Sequence, residues 1–207
     1  MFVTMKGKDM EKNEYLAYYM EFDNKYTGKL NKYGGLPTHL PPQWPMDERF
    51  GEWTFLCQFY CDGKMLSIPG TLCIHVYQLM IDGIQSSDPV VVQVPIGAEE
   101  NRERMGTADD YLQESDINFK EVCEEITEES YRKLEDKNGN RLMHSKLGGW
   151  YPFMEETNWH FFTETEWKNK CFLGAIRDEF YTPFCWGCDY SLVIFLNELN
   201  QVECKFY

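Results

Sequence analysis

Two cysteines separated by two residues, Cys185 and Cys188, are the first candidates for chemistry in the sequence. A redox pair of this spacing needs the N-terminus of a helix, where the dipole lowers the thiol pKa, but this pair precedes the strand-like run YSLVIFL. A zinc site needs two further ligands at similar spacing, and the pair Cys57 and Cys61 lies in a predicted strand. We therefore expect structural thiols, no metal site and no cofactor, while metal binding at 185–188 stays open.

The other candidates for catalysis lack partners in the sequence. The four histidines form neither HxH nor HxxxH pairs, and neither a GxSxG elbow nor a phosphate-cradling glycine loop is present. Asp109 and Asp110 are adjacent carboxylates of the kind that can bind a divalent ion, although an exposed acidic loop is the simpler interpretation. The sequence thus predicts a protein that is not an enzyme.

Carboxylates are concentrated in residues 99–137, which contain 14 acids and 6 bases and so carry −8 of the net charge of −14. The composition and the spacing of Val122 and Ile126 predict an exposed acidic helix. Helical spacing would crowd five glutamates on overlapping faces, and a basic partner would relieve their repulsion. The partner-binding residues predicted here are Asp109, Asp110, Glu121, Glu124, Glu125, Glu128 and Glu129.

Two glycine pairs occur in nearly the same setting, NKYGGLPTH at 31–39 and SKLGGWYPF at 145–153. Such pairs are typical of a tight turn or of a close approach between backbones. The alternative is a ligand cleft between the two loops, walled by Trp150 and Tyr151. We include both aromatic residues among the predicted partner-binding residues.

The order of motifs after each glycine pair is also repeated: a proline, a tryptophan, an FL dipeptide and then a glycine ahead of an apolar strand. The spacing is 14 positions from Leu56 to Gly70 and also from Leu173 to Gly187. This repetition predicts an internal duplication. We expect one domain over 1–207, with half one at about 14–97, an acidic connector at about 98–141 and half two at about 142–207.

Composition limits the functional classes. The chain has 207 residues, of which 43% are hydrophobic and 16% aromatic, so it can bury a substantial core. Its negative charge disfavours binding to nucleic acids and to anionic membranes. We find no long apolar run and no secretory pattern, so we expect a cytoplasmic protein with reduced cysteines. The predicted fold is α+β: a β-rich domain of two pseudo-equivalent antiparallel halves joined by the acidic helical connector.

Six stretches carry a resemblance to a known family: KYGGLPTHLPPQWP, WTFLCQFYC and PGTLCIHVY in the first half, and KLGGWYPF, FLGAIRDE and WGCDYSLVIFL in the second. In them the chain resembles the YwqG-like family of bacterial proteins of unknown function, over about residues 28–80 and 143–207. One departure is the missing second glycine after Asp189, ahead of the last apolar strand. The resemblance implies a duplicated, β-rich α+β domain without an established catalytic motif.

Some members of that family behave like immunity proteins and are encoded near secreted polymorphic toxins. The resemblance and the acidic segment together predict a cytosolic immunity protein that docks an acidic surface on a basic toxin domain. The alternative is a small-ligand or metal-binding domain, enzymatic or not, that uses the aromatic-lined glycine loops.

Overall fold

The computed structural model describes residues 13–82, 84–109, 112–133, 135–139, 144–150, 170–177 and 190–206. These ranges contain fourteen strands and one helix of six residues. The strands β1 to β14 are, in order, Asn13–Phe22, Lys32–Tyr33, Met46–Asp47, Gly51–Glu52, Thr54–Tyr60, Thr71–Gln78, Met80–Ile81, Ile84–Gln85, Val90–Pro95, Ser115–Ile126, Lys146–Gly148, Cys171–Arg177, Ser191–Leu196 and Val202–Phe206. Helix α1, Glu128–Lys133, lies between β10 and β11.

The predicted α+β class with a helical connector is wrong, because the described fold is almost entirely β. The segment expected to be an acidic helix is mainly β10, the longest strand at 12 residues. Its register with β1 is antiparallel and unbroken from Asn13↔Ile126 to Phe22↔Ile117. This pairing and the burial of alternate apolar side chains, such as Ile117, outweigh the helical propensity of the glutamates.

Ten strands form one antiparallel sheet in the order β14-β13-β12-β11-β1-β10-β2-β5-β6-β9. The central pair, β1 and β10, has four strands from the first half of the sequence on one side and four from the second half on the other. Both sides carry a register shift at the same place, between Phe55 and Cys57 in β5 and between Phe172 and Gly174 in β12. The strand order therefore places the two repeated sets of motifs at matching positions.

The sheet curves until its outer strands, β9 and β14, meet, so that it is nearly closed and barrel-like. The side chain of Gln93 joins these strands: its amide nitrogen donates to the Asn200 carbonyl at 3.1 Å, and its oxygen accepts from the Val202 amide at 2.8 Å. The same nitrogen also donates to Thr71 Oγ1 at 3.1 Å. A single glutamine thus bonds backbone groups in the turn before β14 and at the first residue of β14.

One apolar core fills the inside of the sheet and takes residues from both halves. The loop after β5 closes one end of this interior with Leu66 and Ile68. Strands β5, β6 and β13 are buried on both faces, which accounts for their nearly continuous apolar sequences. None of the helical segments in the described ranges has the length and apolar character needed to cross a membrane.

Gln93→Ala should destabilise the fold by about 1–3 kcal/mol, because it leaves half-buried backbone groups at the seam without this hydrogen-bond partner. Urea unfolding followed by fluorescence measures this change. Gln43→Ala, at an exposed loop position, is the matched control and should change stability by less than about 0.5 kcal/mol. Equal effects of the two substitutions would contradict the role of Gln93 at the seam.

Candidate functional site

The second glycine pair encloses a buried ion pair. Lys146 and Glu124 are both fully buried and form a short salt bridge. The ammonium group of Lys146 also donates to the Trp150 carbonyl at 2.6 Å. The Glu124 carboxylate accepts from the Trp150 amide at 2.7 Å and from the Tyr19 hydroxyl at 2.8 Å. Burial lowers the pKa of Lys146, and the attraction of Glu124 opposes that shift.

Glycine is required at this corner by both conformation and space. Gly148 and Gly149 have φ values of 63° and 78°, which L-residues with side chains rarely adopt. A Cβ at Gly149 would lie 2.6 Å from Ala17 Cβ and 2.7 Å from Glu124 Oε2. The glycine pair therefore lets the backbone pass directly over the buried carboxylate.

The first glycine pair repeats this arrangement. Lys32, 3% exposed, donates to the Leu36 carbonyl at 2.6 Å and forms a short salt bridge with Glu114. Gly34 and Gly35 have φ values of 66° and 63°, and a Cβ at Gly35 would lie 2.7 Å from the Glu114 side chain. In both corners the lysine bonds the carbonyl four residues later and a carboxylate beneath the second glycine. We refer to these two structures as the lysine corners.

Lys32, Lys146 and Glu114 were not among the residues singled out from the sequence. A signal was present, since a lysine precedes each glycine pair by two positions. In both corners the lysine and the glutamate bond each other, and each lysine also bonds a backbone carbonyl of its own loop. Trp150, proposed as the wall of a ligand cleft, is 2% exposed and packs with Ile126, while Tyr151 lies outside the described residues. The glycine pairs thus serve as close-packed corners, and Trp150 forms no open wall.

The predicted partner-binding glutamates separate into distinct environments. Glu124 belongs to the interior and cannot contact a partner. Glu121 is exposed on β10 and pairs with Lys64 at 2.6 Å, and Glu125 pairs with Lys137 at 3.1 Å. The alternation of a strand, rather than helical spacing, decides which of them reach solvent.

The remaining predicted partner-binding residues lie in α1, in the segment before β10, or outside the described residues. Glu128 and Glu129 fall in α1, where exposed Glu129 forms an i,i+4 pair with Lys133. Asp109 is partly buried, and Asp110 lies outside the described residues. The structure therefore does not gather all the predicted acids into one surface.

A smaller acidic surface does form where β1 begins and β10 ends. Glu14 lies directly opposite Glu125, and Leu16 lies directly opposite Cys123. Glu121, two positions before Cys123, belongs to the same side of the sheet because alternate residues share a face. Leu16 is 49% exposed, and Glu14, Glu121 and Cys123 are also exposed. We call the surface formed by these five residues the acidic face.

The acidic face brings negative charge around an apolar centre. Like charges directly opposite each other across an antiparallel pair are destabilising, as at Glu14 and Glu125. The pKa of the Cys123 thiol is raised, first by desolvation and next by the charges of Glu14 and Glu125. Lys64 and Lys137 offset part of this charge, but both are exposed, and such ion pairs are worth under about 1 kcal/mol. A stronger cation can therefore displace either lysine.

The cysteines and histidines in the described ranges show no reactive or metal-binding arrangement. Cys73 Sγ lies 3.3 Å from His75 Nε2, and His75 Nδ1 lies 3.0 Å from the Tyr77 hydroxyl. Burial lowers the pKa of His75 to about 3 and raises the pKa of Cys73 to about 12, so both are uncharged at neutral pH. Among the described residues no three His, Cys, Asp or Glu side chains could hold a metal ion together. Cys185 and Cys188 lie outside the description.

Gly149→Ala should destabilise the protein more than Gly63→Ala does. Gly63 has a similar φ of 77°, but a Cβ added there would meet no atom within 4 Å, so only backbone strain of about 1–2 kcal/mol applies. At Gly149 the contacts with Ala17 and Glu124 add about 1–3 kcal/mol. Denaturant midpoints of the two variants measure the difference, and equal losses would contradict close packing at the corner.

A double-mutant cycle should show strong coupling between Lys146 and Glu124. Lys146→Met or Glu124→Leu alone leaves a buried charge unpaired and should cost about 3–5 kcal/mol, whereas the double variant should cost clearly less than the sum. The exposed pair of Lys64 and Glu121, replaced in the same way, is the control and should couple by under about 1 kcal/mol. A buried-pair coupling no larger than the control would show that the corner does not depend on this ion pair.

Neither a protein-family model nor a curated protein matches the chain.

Proposed function

We propose that the chain is a binding protein that docks its acidic face on a basic protein partner. The observation that carries this proposal is the exposed end of the β1–β10 pair, where Leu16 lies among Glu14, Glu121 and Glu125 on one side of the sheet. An apolar centre with a charged rim is the usual anatomy of a protein interface. Negative charge selects a partner of opposite sign and speeds its association.

The internal electrostatics of the face support a basic partner. Glu14 and Glu125 repel one another in the free protein, since they are directly opposed across the two strands. A lysine or arginine placed between them would remove this repulsion and add a charge-assisted hydrogen bond. The net charge of −14 extends the attraction beyond the contact itself.

The partner that best fits this chemistry is the catalytic domain of a toxin, with the chain acting as its immunity protein in the cytosol. Toxins that act on nucleic acids or nucleotides need basic residues around their substrate site, and an acidic protein competes for such a site. The resemblance of the lysine-glycine motifs to the YwqG-like family supports the same assignment. The six cysteines that the structure describes carry free thiols, which supports a reducing compartment.

The test uses the product of the gene adjacent to the one encoding this chain, purified as a catalytically inactive variant. We expect a complex whose association rate falls steeply as salt is raised. A variant with Glu14→Gln, Glu121→Gln and Glu125→Gln should associate at least about tenfold more slowly than the wild type, since electrostatic steering changes association rates by about 10- to 1,000-fold.

The matched control replaces three exposed glutamates elsewhere, Glu48, Glu103 and Glu198, by glutamine and so removes the same charge from the chain. It should slow association by less than about threefold, because only the overall charge is lost. Surface plasmon resonance at several salt concentrations compares the variants. Equal slowing by both triple variants would place the interface elsewhere, and no complex with a basic neighbour would refute the toxin assignment.

A further inference from the structure

A shallow, open cleft of about 470 Å³ lies beside the seam, lined by residues 85–88 just before β9 and by Phe206 at the end of β14. Gln78, at the end of β6, lines it from the same side of the sheet as the core residues Ile74 and Val76. Phe206, at the end of β14, lines it from the other side of the seam and packs against the same core. The cleft is therefore the mouth of the barrel-like sheet, a frequent location for ligand sites.

One wall of the cleft is aromatic. The rings of Tyr190 and Phe206 stack with centroids 5.3 Å apart and planes 14° apart. Phe206 covers one face of the Tyr190 ring, yet the Tyr190 side chain stays 45% exposed. Stacked rings with accessible surface at a cleft attract cations through their negative π-faces.

The facing wall consists of hydrogen-bond acceptors. The Ser86 hydroxyl donates to the Ile84 carbonyl and the Ser87 hydroxyl donates to the Asp88 carbonyl, each at 3.1 Å. Both hydroxyl hydrogens are used within the chain, and Ser87 Oγ also accepts from the Leu79 amide at 3.3 Å. Each hydroxyl oxygen therefore keeps at least one lone pair for a ligand. This wall favours a ligand that donates hydrogen bonds.

The charge of Asp88 favours a cationic ligand over a neutral one at this cleft. Asp88 is exposed at the cleft and has no cationic partner among the described residues, and none of the described lining residues is basic. Its negative charge also reaches Cys204: burial raises the pKa of that thiol, the Val91 backbone opposes the shift, and Asp88 adds to it. An anionic ligand would meet repulsion both here and from the net charge of −14.

We propose that this mouth cleft binds the ammonium group of a small organic amine, with Asp88 as the counter-charge, Ser86 and Ser87 as acceptors and Tyr190 as the aromatic wall. The site is separate from the acidic face. Following the antiparallel registers from β10 through β2 and β5 to β6, β6 ends at the end of the sheet where β10 begins. The acidic face lies at the other end, where β10 finishes.

Titration of the full-length protein with putrescine, followed by calorimetry and by amide shifts in NMR, tests the proposal. We expect saturable binding with shifts at Ser86, Ser87 and Tyr190. Nα-acetyl-lysine methylamide, titrated in parallel, distinguishes a free diamine from a lysine side chain as the source of the ammonium group. 1,4-Butanediol, which has the same length as putrescine but no charge, should not bind.

Two variants test the roles proposed for Asp88 and Tyr190 in amine binding. Asp88→Asn should weaken amine binding about tenfold through loss of the charged partner, and Tyr190→Ala should weaken it severalfold through loss of the ring. The controls are Asp82→Asn and Phe50→Ala, at exposed positions that do not line the cleft, and neither should change affinity. The proposal is overturned if neither amine binds at about 10 mM, the concentration range of very weak ligands. Equal binding of butanediol, or full affinity in Asp88→Asn, also overturns it.

Discussion

The fold depends on two lysine–glutamate ion pairs that lie beneath the two glycine pairs. In the second half of the chain, the ammonium group of Lys146 and the carboxylate of Glu124 are out of contact with solvent and are joined to each other and to both backbone groups of Trp150. A buried charge without such partners would cost several kcal/mol, so the backbone must pass where it can satisfy both. Only two successive glycines leave room for that path.

The same solution appears at Lys32, but the carboxylate comes from a different place. Glu114 precedes β10 in the chain, whereas Glu124 lies near the end of that strand. The carboxylates of both lysine corners therefore come from β10 or from the residue directly before it. It also pairs with β1 at the centre of the sheet, so the two halves are locked to one strand by hydrogen bonds and by ion pairs.

This central strand also explains how an acidic stretch serves two purposes. Along β10, Glu124 faces the side of the sheet that Gly149 and Trp150 cover. Glu121 and Cys123 face the other side, which also carries the core, but they lie past the end of the core and are exposed. Alternation with a period of two divides neighbouring glutamates between structure and surface. The proposed partner surface and the proposed amine cleft lie at opposite ends of the sheet.

The sequence by itself determined the strand-rich halves, the repeated glycine corners with their preceding lysines, and the negative charge, because these are local patterns of residue type and spacing. It predicted an acidic helix over 119–135, of which residues 119–126 are strand, since glutamate-rich composition favours a helix when no partner strand is considered. Only the tertiary structure decided that β1 pairs with this segment, that Glu124 is buried while Glu121 is exposed, and that Asp88 and Tyr190 line the same cleft. Those outcomes rest on contacts between residues about 100 positions apart, and no local pattern encodes them.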